Sequence, residues 1–370
     1  MRQPAADPLG FGDLNARVAD TLHRLRHAAS VQVGCSAKRA VWSRGKTTLY
    51  RYAPLAPSAP ALRTRKSARP ILICFALVNR PYILDLQPDR SLVRRLLEAG
   101  HTVYLIDWGD ADDADRCTDL EDYLEWHLAG CVAHVLQSHD LEALDLLGVC
   151  QGGVLSLCYT ALHPRQVANL VTLTTPVDFH AGDNLLSRWV RDLDVDLICA
   201  TGNVPGEVLN ALFLSLMPLR LAQQKYVRLL ASGADQRAVE DFVRMERWIF
   251  DSPPQAAAAL AQFVRLFYQE NAFVRGTLRL NGRALDLKHV RQPLLNLYAL
   301  GDHIVPSAAC AALKHHVGSR DYSAVALQTG HIGMYVSRAA REQIPRRILE
   351  WLRQRDRSSA RLSRRSRRGR

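Results

Sequence analysis

Short runs of apolar residues alternate with polar stretches along most of the chain. The runs are rich in Val, Ile and Leu and lie at 48–52, 71–78, 102–108, 143–149, 169–174, 294–300 and 323–327. All seven predict strands, and several are continuous apolar runs, which are typical of strands buried on both faces of a largely parallel sheet. The stretches at 90–99, 120–137 and 154–163 lie between them and predict crossover helices. The pattern therefore predicts an α/β fold with a mostly parallel central sheet flanked by helices.

Two regions depart from this alternation. Residues 1–35 carry apolar side chains every three or four positions with charges between them, which predicts an N-terminal amphipathic helix. Residues 176–291 lack clear strands and contain helical patterns, which predicts a helical cap, or lid, inserted over the carboxyl edge of the sheet. Residues 36–175 and 292–352 are left to form the α/β core.

The charge of the chain is concentrated at its C-terminal end. The 370 residues have a formal net charge of +12, and residues 353–370 hold nine arginines against the single acidic residue Asp356. This segment supplies +8, so the rest of the chain has an ordinary balance. Serine and arginine alternate there without an apolar face, which predicts a disordered tail. Binding of nucleic acid is expected only through this tail.

A second basic stretch lies at residues 53–70, between the predicted strands at 48–52 and 71–78. Arg63, Arg65, Lys66 and Arg69 stand in a segment rich in Pro, Ala and Ser. Its composition predicts a solvated surface connection. Capture of an anionic ligand, such as the phosphates of coenzyme A, is the alternative.

The eight cysteines show neither paired spacing nor a Cys/His pattern typical of zinc sites, so neither a disulfide framework nor a metal site is expected. Several lie within apolar runs, which indicates buried thiols in a reducing compartment. The sequence shows no secretory signal and no uncharged apolar stretch of bilayer-spanning length. We therefore expect a soluble cytoplasmic protein.

The most informative segment is Gly-Val-Cys-Gln-Gly at 148–152, between a predicted strand and a predicted helix. This is the G-x-C-x-G form of a nucleophile elbow, a sharp turn that needs small residues two positions before and after the nucleophile. Cys150 is the predicted nucleophile. The backbone N–H of Gln151, at the start of the helix, is a predicted oxyanion donor, and the helix dipole favours a thiolate.

An acid and a histidine follow in the chain order expected for an α/β-hydrolase fold. Asp302 comes directly after the predicted strand 294–300, and His331 stands in a glycine-flanked loop after the last predicted strand. We predict that His331 takes the thiol proton, while Asp302 fixes the tautomer of the imidazole and stabilises the imidazolium. Each residue alone is a weak signal, and the order of the three carries the prediction.

Further contacts with the reacting group are expected beside this triad. The second oxyanion donor is predicted in the loop after the strand at 71–78, as the backbone N–H of Val78 or of Asn79. Asn79 and His303, which adjoins Asp302, are predicted substrate contacts, with a structural role of His303 as the alternative.

A cysteine nucleophile favours transfer over hydrolysis. Its acyl-enzyme is a thioester, close in energy to an acyl-coenzyme A, so the acyl group stays activated for attack by an alcohol. Water must then be excluded, which a cap over the thiol would achieve.

Five segments carry a family resemblance. They are Gly-Val-Cys-Gln-Gly-Gly at 148–153, Ala-Leu-Val-Asn-Arg-Pro-Tyr at 76–82, Tyr-Leu-Ile-Asp-Trp-Gly at 104–109, Thr-Pro-Val-Asp-Phe at 175–179 and Gly-His-Ile-Gly at 330–333. From about residue 36 to residue 351 the chain closely resembles the catalytic subunit of class III polyhydroxyalkanoate synthases. Lipase-like enzymes generally lack the second, third and fourth of these segments, so the resemblance is specific.

The resemblance implies an acyltransferase that polymerises (R)-3-hydroxyacyl-coenzyme A, typically the 3-hydroxybutyryl form, and releases coenzyme A. Cys150 would carry the chain, His331 would be the base, and Asp302 would be the third member. No cofactor is implied, since coenzyme A belongs to the substrate and the product. The implied partners are a second synthase subunit of the E type and a polyester granule in the cytoplasm, with assembly as a homodimer or hetero-oligomer. The arginine tail departs from the family pattern.

Three alternatives remain open from the residues. A class IV synthase, whose partner is an R-type subunit, has a catalytic chain of similar length. A cysteine α/β-hydrolase or thioesterase would use the same elbow, with water attacking the acyl-enzyme. The third alternative is a granule-surface or nucleic-acid-binding protein that keeps the hydrolase fold but has lost catalytic activity, in which case the triad would be dispensable.

Overall fold

The computed structural model describes residues 11–56, 69–280 and 282–368. The basic residues Arg63, Arg65 and Lys66 lie outside the described residues.

The centre of the fold is an eight-stranded sheet in the order β1-β2-β6-β3-β7-β8-β11-β12. The strands are β1 (Lys38–Arg44), β2 (Thr47–Tyr52), β3 (Ile71–Cys74), β4 (Asp85–Gln87), β5 (Arg90–Ser91), β6 (Val103–Asp107), β7 (Leu144–Val149), β8 (Val167–Leu173), β9 (Arg279–Leu280), β10 (Arg283–Ala284), β11 (Leu294–Ala299) and β12 (Tyr322–Leu327). The pairs from β6 to β12 are parallel, whereas β1 and β2 are antiparallel to their neighbours. The predicted mostly parallel sheet is confirmed.

Helices connect and flank these strands. They are α1 (Phe11–His27), α2 (Leu92–Glu98), α3 (Leu120–Asp122), α4 (Ala129–His139), α5 (Gln151–Leu162), α6 (Leu185–Arg191), α7 (Val195–Cys199), α8 (Gly206–Ser215), α9 (Lys225–Ala231), α10 (Gln236–Ile249), α11 (Ala257–Phe263), α12 (Ala272–Arg275), α13 (Ser307–Ala311), α14 (Leu313–His316), α15 (Gly333–Val336) and α16 (Arg338–Arg368). Single π-helical turns at Tyr123–Leu128, Leu219–Gln224 and Val264–Gln269 continue neighbouring helices.

Burial explains which strands the sequence predicts well. Every residue of β3 and of β7 is buried, and Asp145 in β7 is the only charged residue of the two strands, so both are nearly continuous apolar runs in the sequence. The edge strand β1 is largely exposed and carries Lys38, Arg39 and Arg44, so its sequence shows no apolar run. The chain also leaves the sheet after Cys74, so the second half of the strand predicted at 71–78 is a loop.

The chain divides into two units, with boundaries that differ from the predicted domains. One unit combines the N-terminal segment through Val33 with Gly206–Ser252, and the other holds the remaining described residues, including the sheet. Within the first unit α1 packs against α9 and α10, and Ala28, Val31, Leu229 and Val239 form a small core. The periodicity of a helix shows that it has an apolar face, but it does not show which distant helices cover that face. The sequence therefore does not reveal that residues 206–252 share a unit with α1.

The C-terminal helix extends beyond the expected end of the core. Helix α16 continues through Arg368, into the segment for which the sequence predicts disorder. Arginine favours helix, and the only Pro within α16 is Pro345, which leaves the later residues without a helix breaker. In the described ranges no helix is both long and apolar enough to cross a membrane.

Candidate active site

Cys150 lies at the turn between β7 and α5, at the carboxyl edge of the sheet. Its φ of 53° and ψ of −121° are strained for a residue with a side chain. Its backbone N–H donates to the carbonyl oxygen of Leu173 at 2.8 Å, which anchors the turn to the neighbouring strand β8. The side chain is half-buried at the start of a twelve-residue helix. This is the geometry of the predicted nucleophile elbow.

The glycines of the elbow are required by close packing. A Cβ at Gly148 would come within 2.6 Å of the Cα of Gly153, and one at Gly152 would overlap the carbonyl oxygens of Cys74 and Phe75. These close atoms belong to the backbone, which cannot move aside as the end of a flexible side chain can. A larger residue at either position must therefore displace the turn. The local sequence therefore specifies how Cys150 is presented.

Asp302 and His331 form a buried hydrogen-bonded pair. The Nδ1 atom of His331 lies 2.7 Å from Oδ2 of Asp302, and the side chains are 7% and 1% exposed. The other carboxylate oxygen, Oδ1, accepts the backbone N–H groups of Ile304 and Val305, both at 2.9 Å. These bonds fix the carboxylate, which in turn orients the imidazole with its second nitrogen available to Cys150.

The charges around His331 favour its imidazolium form. Burial lowers the pKa of His331, but the Asp302 carboxylate and the Cys150 thiolate, with hydrogen bonds to both groups, raise that pKa to about 10. A protonated imidazole beside the thiol stabilises a thiolate, the nucleophilic form of cysteine. The charges that face His331 therefore hold this imidazole in its protonated form.

The sheet topology brings these three residues together. Strands β7, β8, β11 and β12 are parallel neighbours, so their carboxyl ends meet at one edge. Cys150 follows β7, Asp302 follows β11 and His331 follows β12. Residues separated by 181 positions in the chain thus meet at one site.

The residues predicted as oxyanion donors lie beside the elbow. Gln151 begins α5, where backbone N–H groups lack intrahelical partners. Its side chain reaches the loop after β3 and accepts the backbone N–H of Leu77 at 3.0 Å. Val78 and Asn79 follow Leu77 directly, and Asn79 has a left-handed φ of 62°. The oxyanion roles of Gln151 and Val78 stay predictions.

Two residues that the sequence analysis did not single out support His331. The ring of Tyr335 packs edge-on against His331 with 5.9 Å between ring centroids. The Tyr335 hydroxyl lies 2.9 Å from Oγ1 of Thr174, a residue with a left-handed φ of 51°. Tyr335 follows His331 by four positions, and this spacing is the only signal that the sequence offers.

The other highlighted residues lie around or away from the site. His303 is half-buried beside Asp302, and its role as a substrate contact stays a prediction. Arg69 precedes β3 and pairs with Asp356 at 3.8 Å, at the edge of the sheet opposite Cys150. Arg69 is therefore not placed to bind an anion at the site.

Four of the remaining cysteines are more deeply buried than Cys150. Cys74 and Cys158 are buried, as expected, Cys131 and Cys310 are buried too, and all eight cysteines are free thiols. Burial raises the pKa of Cys74 to about 12, which keeps that thiol neutral and unreactive.

Comparison with known proteins identifies the family. A family model described as alpha/beta hydrolase fold matches residues 69–337. The chain is 46% identical over 344 residues to the poly(3-hydroxyalkanoate) polymerase subunit PhaC of Allochromatium vinosum, covering 93% of this chain and 96% of the relative. It is 43% identical over 333 residues to the protein of the same name from a Synechocystis strain, covering 88% and 86%.

A solved structure supports the fold alone. The monoacylglycerol lipase of Paleococcus ferrophilus is 15% identical and aligns with a TM-score of 0.52 over 83% of this chain and 99% of that chain. The sequence relatives carry more information, because they are similar over nearly their full length. The chain therefore belongs to the poly(3-hydroxyalkanoate) polymerase PhaC family, acyltransferases with an α/β-hydrolase fold that build a polyester from hydroxyalkanoate units.

Proposed function

We propose that the chain polymerises (R)-3-hydroxyacyl-coenzyme A, with 3-hydroxybutyryl-coenzyme A as its substrate, through a covalent thioester on Cys150. The observation that carries this proposal is the strained Cys150 elbow beside the buried Asp302–His331 pair. A thioester substrate loads a cysteine with little change in free energy, which suits a polymerase better than a hydrolase.

In the acylation step the Cys150 thiolate attacks the thioester carbonyl and forms a tetrahedral intermediate. The N–H groups of Gln151 and Val78 donate to its oxyanion. The intermediate collapses with cleavage of the bond to the coenzyme A sulfur. The His331 imidazolium supplies the proton, so coenzyme A leaves as a thiol and His331 becomes neutral.

Acylation also prepares His331 for the next step. The Cys150 thiolate is one of the charges that raise the His331 pKa, and this charge disappears when the sulfur is acylated. The pKa of His331 then falls, and the neutral imidazole can take the proton of an incoming 3-hydroxyl group. The alkoxide oxygen attacks the Cys150 thioester, the new ester bond forms, and the Cys150 thiolate leaves. The lengthened chain now ends in a coenzyme A thioester and can load Cys150 again.

We further propose the class III form, with an E-type second subunit, polyester granules as the cytoplasmic location, and assembly as a homodimer or hetero-oligomer. Length supports the class, because the chain spans almost the whole Allochromatium vinosum relative. An R-type second subunit would instead indicate class IV.

The decisive experiment supplies purified chain with 3-hydroxybutyryl-coenzyme A, with and without a candidate second subunit, and follows coenzyme A and polymer. We expect polymer and free coenzyme A, and loss of both after alkylation of Cys150 or in Cys150→Ala. Release of monomeric 3-hydroxybutyrate would instead identify a thioesterase. Coenzyme A release that survives alkylation of Cys150 would contradict the acyl-enzyme.

A further inference from the structure

Two buried glutamine side chains hold the backbone of Leu77 from both sides. Oε1 of Gln151 accepts the Leu77 N–H at 3.0 Å, and Nε2 of Gln255 donates to the Leu77 carbonyl oxygen at 2.9 Å. The two glutamines are 7% and 5% exposed, so solvent competes little for these bonds. A third side chain, Trp108, donates from its Nε1 to the Phe75 carbonyl oxygen at 2.9 Å. The loop after β3 is therefore clamped by side chains.

The bond from Gln255 determines where the next N–H points. The carbonyl of Leu77 and the N–H of Val78 belong to one planar trans peptide unit, in which the two groups point in opposite directions. A donor that fixes the Leu77 oxygen therefore fixes the direction of the Val78 N–H. Hydrogen bonding to the oxygen also polarises the peptide, which makes its N–H a stronger donor.

Gln255 is itself held by the region predicted as the cap. Its backbone N–H and carbonyl pair with the carbonyl and N–H of Val204, each at 2.9 Å. Gln255 follows Pro253 and Pro254, whose rings restrict the backbone. Both sides of this bridge lie within residues 176–291, and both belong to the same compact unit as Leu77 and the sheet. Gln255 thus links the segment around this bridge to the loop after β3.

We propose that Gln255 is a positioning residue, which aims the Val78 N–H at the oxyanion and makes correct placement of the segment around the Val204–Gln255 bridge a condition for acylation of Cys150. This inference rests on the proposed acyl-enzyme. Gln255 acts through the peptide of Leu77 and Val78 and touches neither substrate nor thiol.

The test compares two reactions of the same sulfur. Acylation by a thioester passes through an oxyanion, whereas alkylation by iodoacetamide is a displacement at carbon that forms none. Gln255→Glu keeps the side-chain shape but replaces the amide donor with a carboxylate that repels the Leu77 oxygen. We expect the single-turnover release of coenzyme A from 3-hydroxybutyryl-coenzyme A to fall roughly 10- to 100-fold, because misplacing an oxyanion donor costs less than deleting it. The alkylation rate should stay within about twofold of the unchanged chain.

The pH dependence gives a second readout. The introduced carboxyl group can donate to the Leu77 oxygen only when protonated, so the acylation defect of Gln255→Glu should shrink as pH falls. Gln255→Met removes the donor without adding a titratable group, and its defect should be independent of pH. If Gln255→Glu does not fold, the comparison of acylation with alkylation can be made with Gln255→Met alone.

Gln292→Glu is the matched control. Gln292 is 9% exposed and its Nε2 donates to the carbonyl oxygen of Pro164 at 2.6 Å, at the start of β11 and away from the site. We expect it to leave both reactions unchanged. Acylation at the unchanged rate in both Gln255 variants, or a parallel fall in alkylation, would overturn the positioning role. Failure of the unchanged chain to acylate Cys150 would instead overturn both proposals.

Discussion

Two buried carboxylates lie at opposite edges of the same sheet. Asp302, at the carboxyl edge, accepts hydrogen bonds from His331 and from two backbone N–H groups. Asp145, near the start of β7, is 3% exposed and accepts one bond from the amide of Asn169 at 2.7 Å. Burial raises the pKa of Asp145 to about 7, against smaller opposing effects of Asn169 and Arg69.

The two carboxylates differ in the hydrogen-bond partners that surround them. Asp302 has a cationic partner and aligned donors, which replace the water that burial removes. Asp145 accepts its side-chain hydrogen bond from a neutral amide, and burial outweighs the opposing effect of Arg69 and raises the pKa of Asp145 to about 7. Burial alone therefore does not distinguish the two carboxylates, whereas the set of hydrogen-bond donors around each one does.

The largest expected effect comes from replacing the Asp302 carboxylate with an amide, and the same replacement at Asp145 is the control. Asp302→Asn removes the charge that holds His331 as an imidazolium, and we expect coenzyme A release to fall about 10²- to 10⁴-fold. Asp145→Asn should leave turnover within about twofold. Initial rates with 3-hydroxybutyryl-coenzyme A measure both, and equal losses would erase the functional distinction between the two carboxylates.

A smaller effect should appear in the pH profile. In the proposed mechanism the His331 imidazolium donates a proton to coenzyme A. This imidazolium is present below the raised pKa of His331, about 10, and is lost above it. Asp302→Asn removes one cause of the raised pKa, so the alkaline limb of kcat/KM should move to lower pH. Residual activity of the variant, followed from pH 6 to 10.5, measures this shift. An unmoved alkaline limb would show that the carboxylate does not control His331.

Asp145 should instead control stability. Its folded pKa of about 7 lies above the usual value of 3.8, so the folded state holds a proton that the unfolded state has released between these pH values. The free energy of unfolding therefore falls as pH rises through this window. Asp145→Asn should gain about 1–3 kcal/mol at pH 8 and almost nothing at pH 4. Urea unfolding at both pH values tests this, and an equal gain at both would contradict the titration.

The smallest effect concerns the C-terminal end. Asp356 raises the pKa of Asp145, and Arg355 stacks 3.8 Å above the ring of Trp351. Truncation after Gln354 removes both residues, whereas truncation after Asp356 keeps them. We expect turnover within about twofold in both, and a stability difference of about 1 kcal/mol or less between them. Loss of kcat after either truncation would connect the tail to the site.

Local chemistry made the triad predictable from sequence. A strand, a tight glycine turn and a helix specify the position of Cys150 within a few residues, and the order of later strands points to Asp302 and His331. The clamp at Leu77 was not predictable, because Gln151 and Gln255 are 104 positions apart and resemble ordinary polar residues. The Arg69–Asp356 pair was hidden for the same reason, since it joins two segments that only the folded chain brings together.

The small unit containing α1 has a consequence for synthesis. Its first part leaves the ribosome early, whereas its partners α9 and α10 lie beyond Gly206. At roughly 5–20 residues per second, the apolar face of α1 waits about 10–40 s for them. During that interval the nascent chain exposes an apolar surface that chaperones or a neighbouring nascent chain can bind. A cluster of slow codons or a bulky N-terminal fusion should therefore change the yield of folded protein more strongly than its turnover.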